Sequence, residues 1–113
     1  MIYRIATAEE WERAQASGRY AGNPDDARDG FLHFSTRAQV RGTFEKHYAG
    51  KRDLVILTVD PAKLPKQLVW ERSRGGALFP HLYDALPVEA VSEITFLGAG
   101  LDGAPILPDF FAL

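Results

Sequence analysis

The sequence predicts an α+β fold. Helical stretches sit among short strand-like runs, and the strands that begin at Leu54, Leu68 and Val91 follow one another with no full helix between them. A doubly wound sheet, which inserts a helix after each strand, does not fit that order. With 113 residues the chain suits one core, so residues 1–113 are read as a single domain.

Taken in order, residues 2–6 are a short apolar run expected as the first strand, with Tyr3 and Ile5 on one face and Arg4 as the odd member of the other. Thr7 and Glu10 then have the spacing of a capping box, in which each side chain satisfies the other's backbone amide. A helix is expected to Ser17, facing Trp11 and Ala14 to the core, with Gly18 as its left-handed stop. Residues 18–30 carry three glycines, a proline and many polar groups, and are expected as a long loop of the kind that binds or covers a ligand.

Asp29-Gly30-Phe31-Leu32-His33-Phe34-Ser35-Thr36 compresses a turn, a strand and a helix start. Alternation along the strand puts Phe31, His33 and Ser35 on one face, while Thr36 and Gln39 form a second capping box. The helix it opens is expected to run to Ala49, with Val40 and Phe44 inward and Gly50 closing it. Residues 54–59 are an almost unbroken apolar, β-branched run, expected as a central strand covered on both faces. Asp60 caps a short turn, residues 68–71 form a strand on which Val69 and Glu71 share a face, and residues 77–87 are expected as an aromatic, proline-stiffened loop. The last strand is expected at 91–97, and the apolar end from Asp109 must dock on the domain or on another subunit.

Composition narrows the function classes. At 46% hydrophobic and 25% charged residues the chain is an ordinary globular protein, and a formal net charge of -2 gives no overall field toward nucleic acid or anionic membrane. There is no cysteine, which removes disulfides, thiolate catalysis and cysteine-ligated metal and fits a reducing, cytoplasmic setting. No apolar stretch approaches the ~20 residues of a membrane span. The order of the elements says nothing about oligomeric state.

The candidates for chemistry are few. His33, beside Ser35, reads either as an acid-base group in a cleft or as a buried histidine holding a backbone carbonyl. His81, held by the rigid loop with Tyr83, suits a pocket for a planar ring, whereas His47 at the border of a helix face reads as structural. Glu71 offers a carboxylate that stabilises a developing cation, as in glycosyl chemistry. Arg4, Arg72 and Arg74 supply forked donors for phosphate, and Gly75-Gly76 lets backbone amides approach an anion. The three histidines lack close metal-ligand spacing, so no metal is expected. Walker, dinucleotide-glycine and Gly-x-Ser-x-Gly signatures are missing.

Asp29-Gly30-Phe31-Leu32-His33-Phe34-Ser35-Thr36, Gln39, Thr43, His47-Tyr48, Trp70-Glu71 and Phe79-Pro80-His81-Leu82-Tyr83 occur in the order of a known pattern. In these blocks the chain resembles the DUF952 family over nearly its whole length. The resemblance implies an ADP-ribosyltransferase-like fold, with two small mixed or antiparallel sheets and two main helices around a cleft that holds NAD in the related enzymes. In matching order it implies that Arg4 contacts phosphate or ribose, that Ser35 supports the nicotinamide side, and that Glu71 stabilises a ribosyl cation. The sequence departs from those enzymes in lacking a Ser-Thr-Ser run and a Glu-x-Glu or Gln-x-Glu pair, since Val69 stands two residues before Glu71.

Two function classes follow as expectations. One is a transferase or hydrolase working at a ribosyl or phosphate-bearing centre, with NAD as a possible substrate, Glu71 stabilising the transition state and His33 or His81 moving protons. The other is a non-catalytic module that binds a nucleotide-like or anionic metabolite through Arg72, Arg74, His81 and Tyr83. A scaffold that self-associates through Phe110 and Phe111 is a third reading.

Overall fold

The computed structural model describes residues 1–112, with the Arg74 side chain left out of the description. Its first sheet is antiparallel, in the order β1-β4-β8, formed by β1 (Ile2–Thr7), β4 (Leu54–Val59) and β8 (Val91–Phe96). The apolar run that predicts a central strand does occupy the centre, and both of its faces are covered. Val55, Leu57 and Val59 join Ile2, Ala6 and Trp11 in one cluster, while Leu54 and Ile56 join Tyr3, Ile5, Val40 and Phe44 in another. Each face thus receives alternate side chains, the period-2 pattern of a strand sandwiched in a core.

Helix α1 (Ala8–Ser17) begins as the sequence predicts, with Thr7 accepting from the Glu10 amide, and ends at Gly18 in the left-handed region. The Glu10 carboxylate does not reach back along its own helix. It accepts instead from the buried Tyr20 hydroxyl at 2.8 Å, which ties α1 to β2 (Arg19–Tyr20).

The expected loop at 18–30 is in fact built. β2 pairs with β7 (Leu86–Pro87), and residues 24–29 form helix α2 (Pro24–Asp29). Asn23 accepts from the amides of Asp25 and Asp26, Asp26 accepts from the Asn23 amide, Pro24 occupies the first turn and Gly30 takes the left-handed stop. Asn23, Pro24, Asp26 and Gly30, which suggested irregular chain, are capping elements of one short helix.

Helix α3 (Arg37–His47) follows β3 (Leu32–His33), with Gln39 accepting from the Thr36 amide. It stops earlier than expected, at Tyr48 rather than Gly50. The second three-stranded sheet has the order β3-β6-β5, with β5 at Val69–Arg72 and β6 at Leu78–Leu82. The expected loop at 77–87 therefore contains a central strand, with a proline in it. Pro80 opposes Trp70 on β5, and its carbonyl accepts from the Phe34 amide just beyond the last β3 residue. A residue's N and O point to the same edge of a strand, so the amide that proline lacks falls where the β3 ladder has already ended.

The C-terminal helix α4 (Asp109–Ala112) docks on the chain itself: Phe111 packs edge-on against Tyr3, and Arg37 lies 4.3 Å over the Phe110 ring. Among the described residues no helix is long and apolar enough to cross a membrane.

Candidate functional site

The two three-stranded sheets meet where Tyr3 and Ser35 form an isolated antiparallel bridge, and beside that junction lies a cleft of about 360 Å³. Its wall includes Arg4, Asp26, His33, Ser35 and His81.

Arg4, 4% exposed, points inward from β1. Its guanidinium makes two parallel 2.7 Å bonds to Asp26 and donates to the carbonyls of His33 at 3.1 Å and Ile5 at 3.0 Å. A buried guanidinium needs such satisfaction, because an unpaired buried charge is far more costly than a paired one. The donors expected for phosphate are thus committed to the fold.

Asp26 is the hub of this corner. Besides Arg4 and Asn23 it accepts from the His33 amide at 3.0 Å and from His33 Nδ1 at 2.8 Å. Burial disfavours its charge, yet the bonds from His33 and Arg4 outweigh that and hold its carboxyl well below the usual carboxylate range. His33 Nε2 lies 2.9 Å from Asp29, whose carboxylate also pairs with Arg28. Hydrogen bonding to Asp26, opposed by partial burial, raises the His33 imidazole above its ordinary value. His33 is therefore an imidazole clamped by two carboxylates.

His81 is placed differently. It opposes His33 in the β3–β6 register, and the two rings stand 5.3 Å apart, edge to face. Its Nδ1 lies 2.8 Å from Glu71 Oε1, which also accepts from the Tyr83 hydroxyl at 2.8 Å. These bonds, from His81 first and then Tyr83, lower the Glu71 carboxyl, and the same contact raises the Tyr83 phenol. His81 is only 3% exposed, and its Nε2 is buried with no hydrogen-bond partner among the described residues. Phe31 covers the ring, with centroids 4.1 Å apart and planes 23° from parallel, and also touches His33 and Tyr83.

The remaining predicted residues divide. Ser35 lines the cleft and exchanges a 2.9 Å hydrogen bond with Thr43, so it also fastens the strand to α3. Glu71 stands on the edge strand behind His81, outside the cleft wall. Tyr83 borders a separate shallow hollow beside Phe31. Arg72 folds back onto the Gly76 carbonyl, and the Gly76 amide bonds the Ser73 carbonyl, so this turn is closed on itself. The Arg74 side chain lies outside the described residues. His47, read as structural, lines the cleft together with Lys46 and Lys51. Among the described residues no group of three or more His, Asp or Glu is placed to hold a metal ion.

Residues 5–94 match the family described as "Protein of unknown function (DUF952)". The chain belongs to that family. Among solved structures, this DUF952 chain is similar to the protein CC0527 from Caulobacter crescentus. The crystal structure of CC0527 is 44% identical over 99% of this chain and 98% of that one, with a TM-score of 0.87. A crystal structure of its double mutant gives 43% identity and the same TM-score of 0.87. The solution structure of CC0527 gives 44% identity over 96% of this chain and 93% of that one, with a TM-score of 0.80. No curated protein matches.

Asp26 and Asp29 are the functional candidates that sequence reasoning passed over. A signal for them was present, since Asn23-Pro24-Asp25-Asp26 followed by Gly30 reads as a capped helix that would bring both carboxylates beside the next strand.

Proposed function

We propose that the cleft takes a small phosphate- or ribosyl-bearing ligand of the nucleotide class and performs acid-base chemistry on it with His33 and His81. The observation that carries this reading is the pair of histidine–carboxylate contacts facing each other at 5.3 Å across adjacent strands, one of them leaving a buried ring nitrogen open. Two imidazoles side by side, each hydrogen-bonded to a carboxylate, are groups able to take a proton from a bound ligand and return it. Lys46 and Lys51 on the cleft wall favour an anionic ligand at the α3 end, whereas Arg28 on the opposite side is paired with Asp25 and Asp29.

The ADP-ribosyltransferase-like architecture is part of the same reading. Two small sheets that part from a single bridge at Tyr3 and Ser35 support it. In that frame NAD is a candidate substrate. A cleft of about 360 Å³ is near the small end of ligand sites, about 300–1,000 Å³, and suits one nucleotide unit better than a whole dinucleotide. Arg4 then organises the wall through Asp26 rather than gripping phosphate itself, and Glu71 acts on the transition state through His81. Ser35 and Arg72 contribute to the cleft wall and to the neighbouring turn.

One observation favours the non-catalytic alternative: Glu71 stands outside the cleft wall, away from where a ribosyl cation would form. A single experiment separates the two. NAD, ADP-ribose and AMP are incubated with wild type and with the His33→Gln and His81→Gln variants, following thermal stability and product formation. Stabilisation with turnover lost in both variants supports the enzyme; at ~100 times Kd a ligand adds about 2.7 kcal/mol. Stabilisation without turnover supports the binding module, and neither effect with any probe overturns the reading of the cleft.

A further inference from the structure

The open nitrogen of His81 says more about the ligand than the cleft's size does. Glu71 accepts from two donors at one oxygen, His81 Nδ1 and the Tyr83 hydroxyl, both at 2.8 Å. An ionised carboxylate only accepts, so in neutral His81 the ring proton sits on Nδ1 and Nε2 carries a lone pair. That tautomer is imposed, and it leaves a buried acceptor to which nothing among the described residues donates. A buried polar atom without a partner is costly, and such atoms in native folds ask for a reason. His81 lines the cleft and its ring is covered by Phe31, so a donor that reaches this atom comes from the cleft with a small shift of the covering side chain.

We propose that His81 Nε2 is an acceptor subsite for a hydroxyl of the ligand itself, and that Glu71 and Tyr83 are positioning residues that keep its lone pair turned to that hydroxyl. While His81 is neutral, an ionised phosphate oxygen is disfavoured at this position, since two lone pairs would face each other. The anionic part of the ligand lies instead toward Lys46 and Lys51, and the sugar part toward His81. The subsite therefore selects a hydroxyl-bearing phosphate ester over inorganic phosphate or a deoxygenated analogue. This proposal rests on the reading of the cleft given above.

Histidine side-chain ¹⁵N spectra, recorded in wild type and Glu71→Leu, test the tautomer without any ligand. The proposal expects His81 as the Nδ1–H tautomer in wild type and a shift toward Nε2–H in Glu71→Leu; Nε2–H or a fully protonated ring in wild type at pH 8 overturns it. AMP and 2′,3′-dideoxy-AMP are then titrated into wild type and His81→Phe. At least tenfold tighter binding of AMP by wild type, with the preference lost in His81→Phe, is the expected result. Equal binding of both nucleotides by wild type overturns this proposal alone, whereas binding of neither overturns the reading of the cleft and this proposal with it.

Discussion

His33 and His81 lie side by side in one ladder, yet their surroundings are opposite. His33 is held at both nitrogens, by Asp26 and Asp29, and is partly exposed; His81 is held at one, by Glu71, and is buried. The α2–β3 corner around His33 is also where Arg4 and Asp26 lock the first sheet to a short helix, so its polar groups are structural before they are chemical. The β5–β6 edge around His81 supports its histidine from an exposed carboxylate and leaves one atom unused. The lesson is that a carboxylate beside a histidine has two effects, depending on whether it closes the last free nitrogen or opens it.

The contrast is broken most severely at Asp26. Asp26→Ala strands the Arg4 charge in the interior, and urea denaturation is expected to show a loss of about 3–5 kcal/mol. The double variant Arg4→Met with Asp26→Leu removes both charges and is expected to lose less than the single one. Next in size is Gly22→Ala. Gly22 has φ +92°, and a Cβ there would sit 2.6 Å from Asp26 Oδ2 and 2.7 Å from Leu32 Cδ2. That overlap displaces the hub carboxylate, and a loss of about 1–3 kcal/mol is expected by the same denaturation assay.

Titration separates the two regions further. The His33 value is raised above its unfolded value of about 6.5, so its contribution is complete below that pH and is lost as pH rises through the raised value. The Asp26 value is lowered, so its contribution is complete above about pH 4 and is lost as pH falls through the lowered value. Stability against pH is thus expected to fall on both sides of a plateau, and His33→Gln is expected to flatten the alkaline side. The smallest effect belongs to the other histidine's support. Tyr83→Phe removes one exposed donor to Glu71 and is expected to leave thermal unfolding nearly unchanged and the alkaline limb intact.

The same contrast explains what could be read in advance. β4 was legible because five of its six residues are apolar and buried, on both faces of the strand, a pattern few other elements produce. α1 and the start of α3 were legible from Thr7 and Thr36, whose caps act over three residues. Helix α2 was not, because Asn, Pro, Asp and Gly serve loops and helix ends alike, and only six residues separate its caps. β6 was hidden by Pro80, whose missing amide falls opposite Phe34 just past the end of β3, where the Phe34 amide still bonds the Pro80 carbonyl. His33, Ser35 and His81 were visible as candidates because they lie in ordered, aromatic surroundings. Asp26 and Asp29, the carboxylate partners of His33, were not, since both belong to helix α2, where the sequence predicts a loop.

The central claim is that the space between the two sheets is a ligand site. Titration of ADP-ribose into ¹⁵N-labelled protein, followed by backbone amide shifts, tests it most directly. Saturable shifts gathered on residues 23–35, 43–51 and 79–81, which contribute the cleft wall, are the predicted result. Saturable shifts confined to the β8 end and residues 98–106, or none at millimolar ADP-ribose, would contradict it.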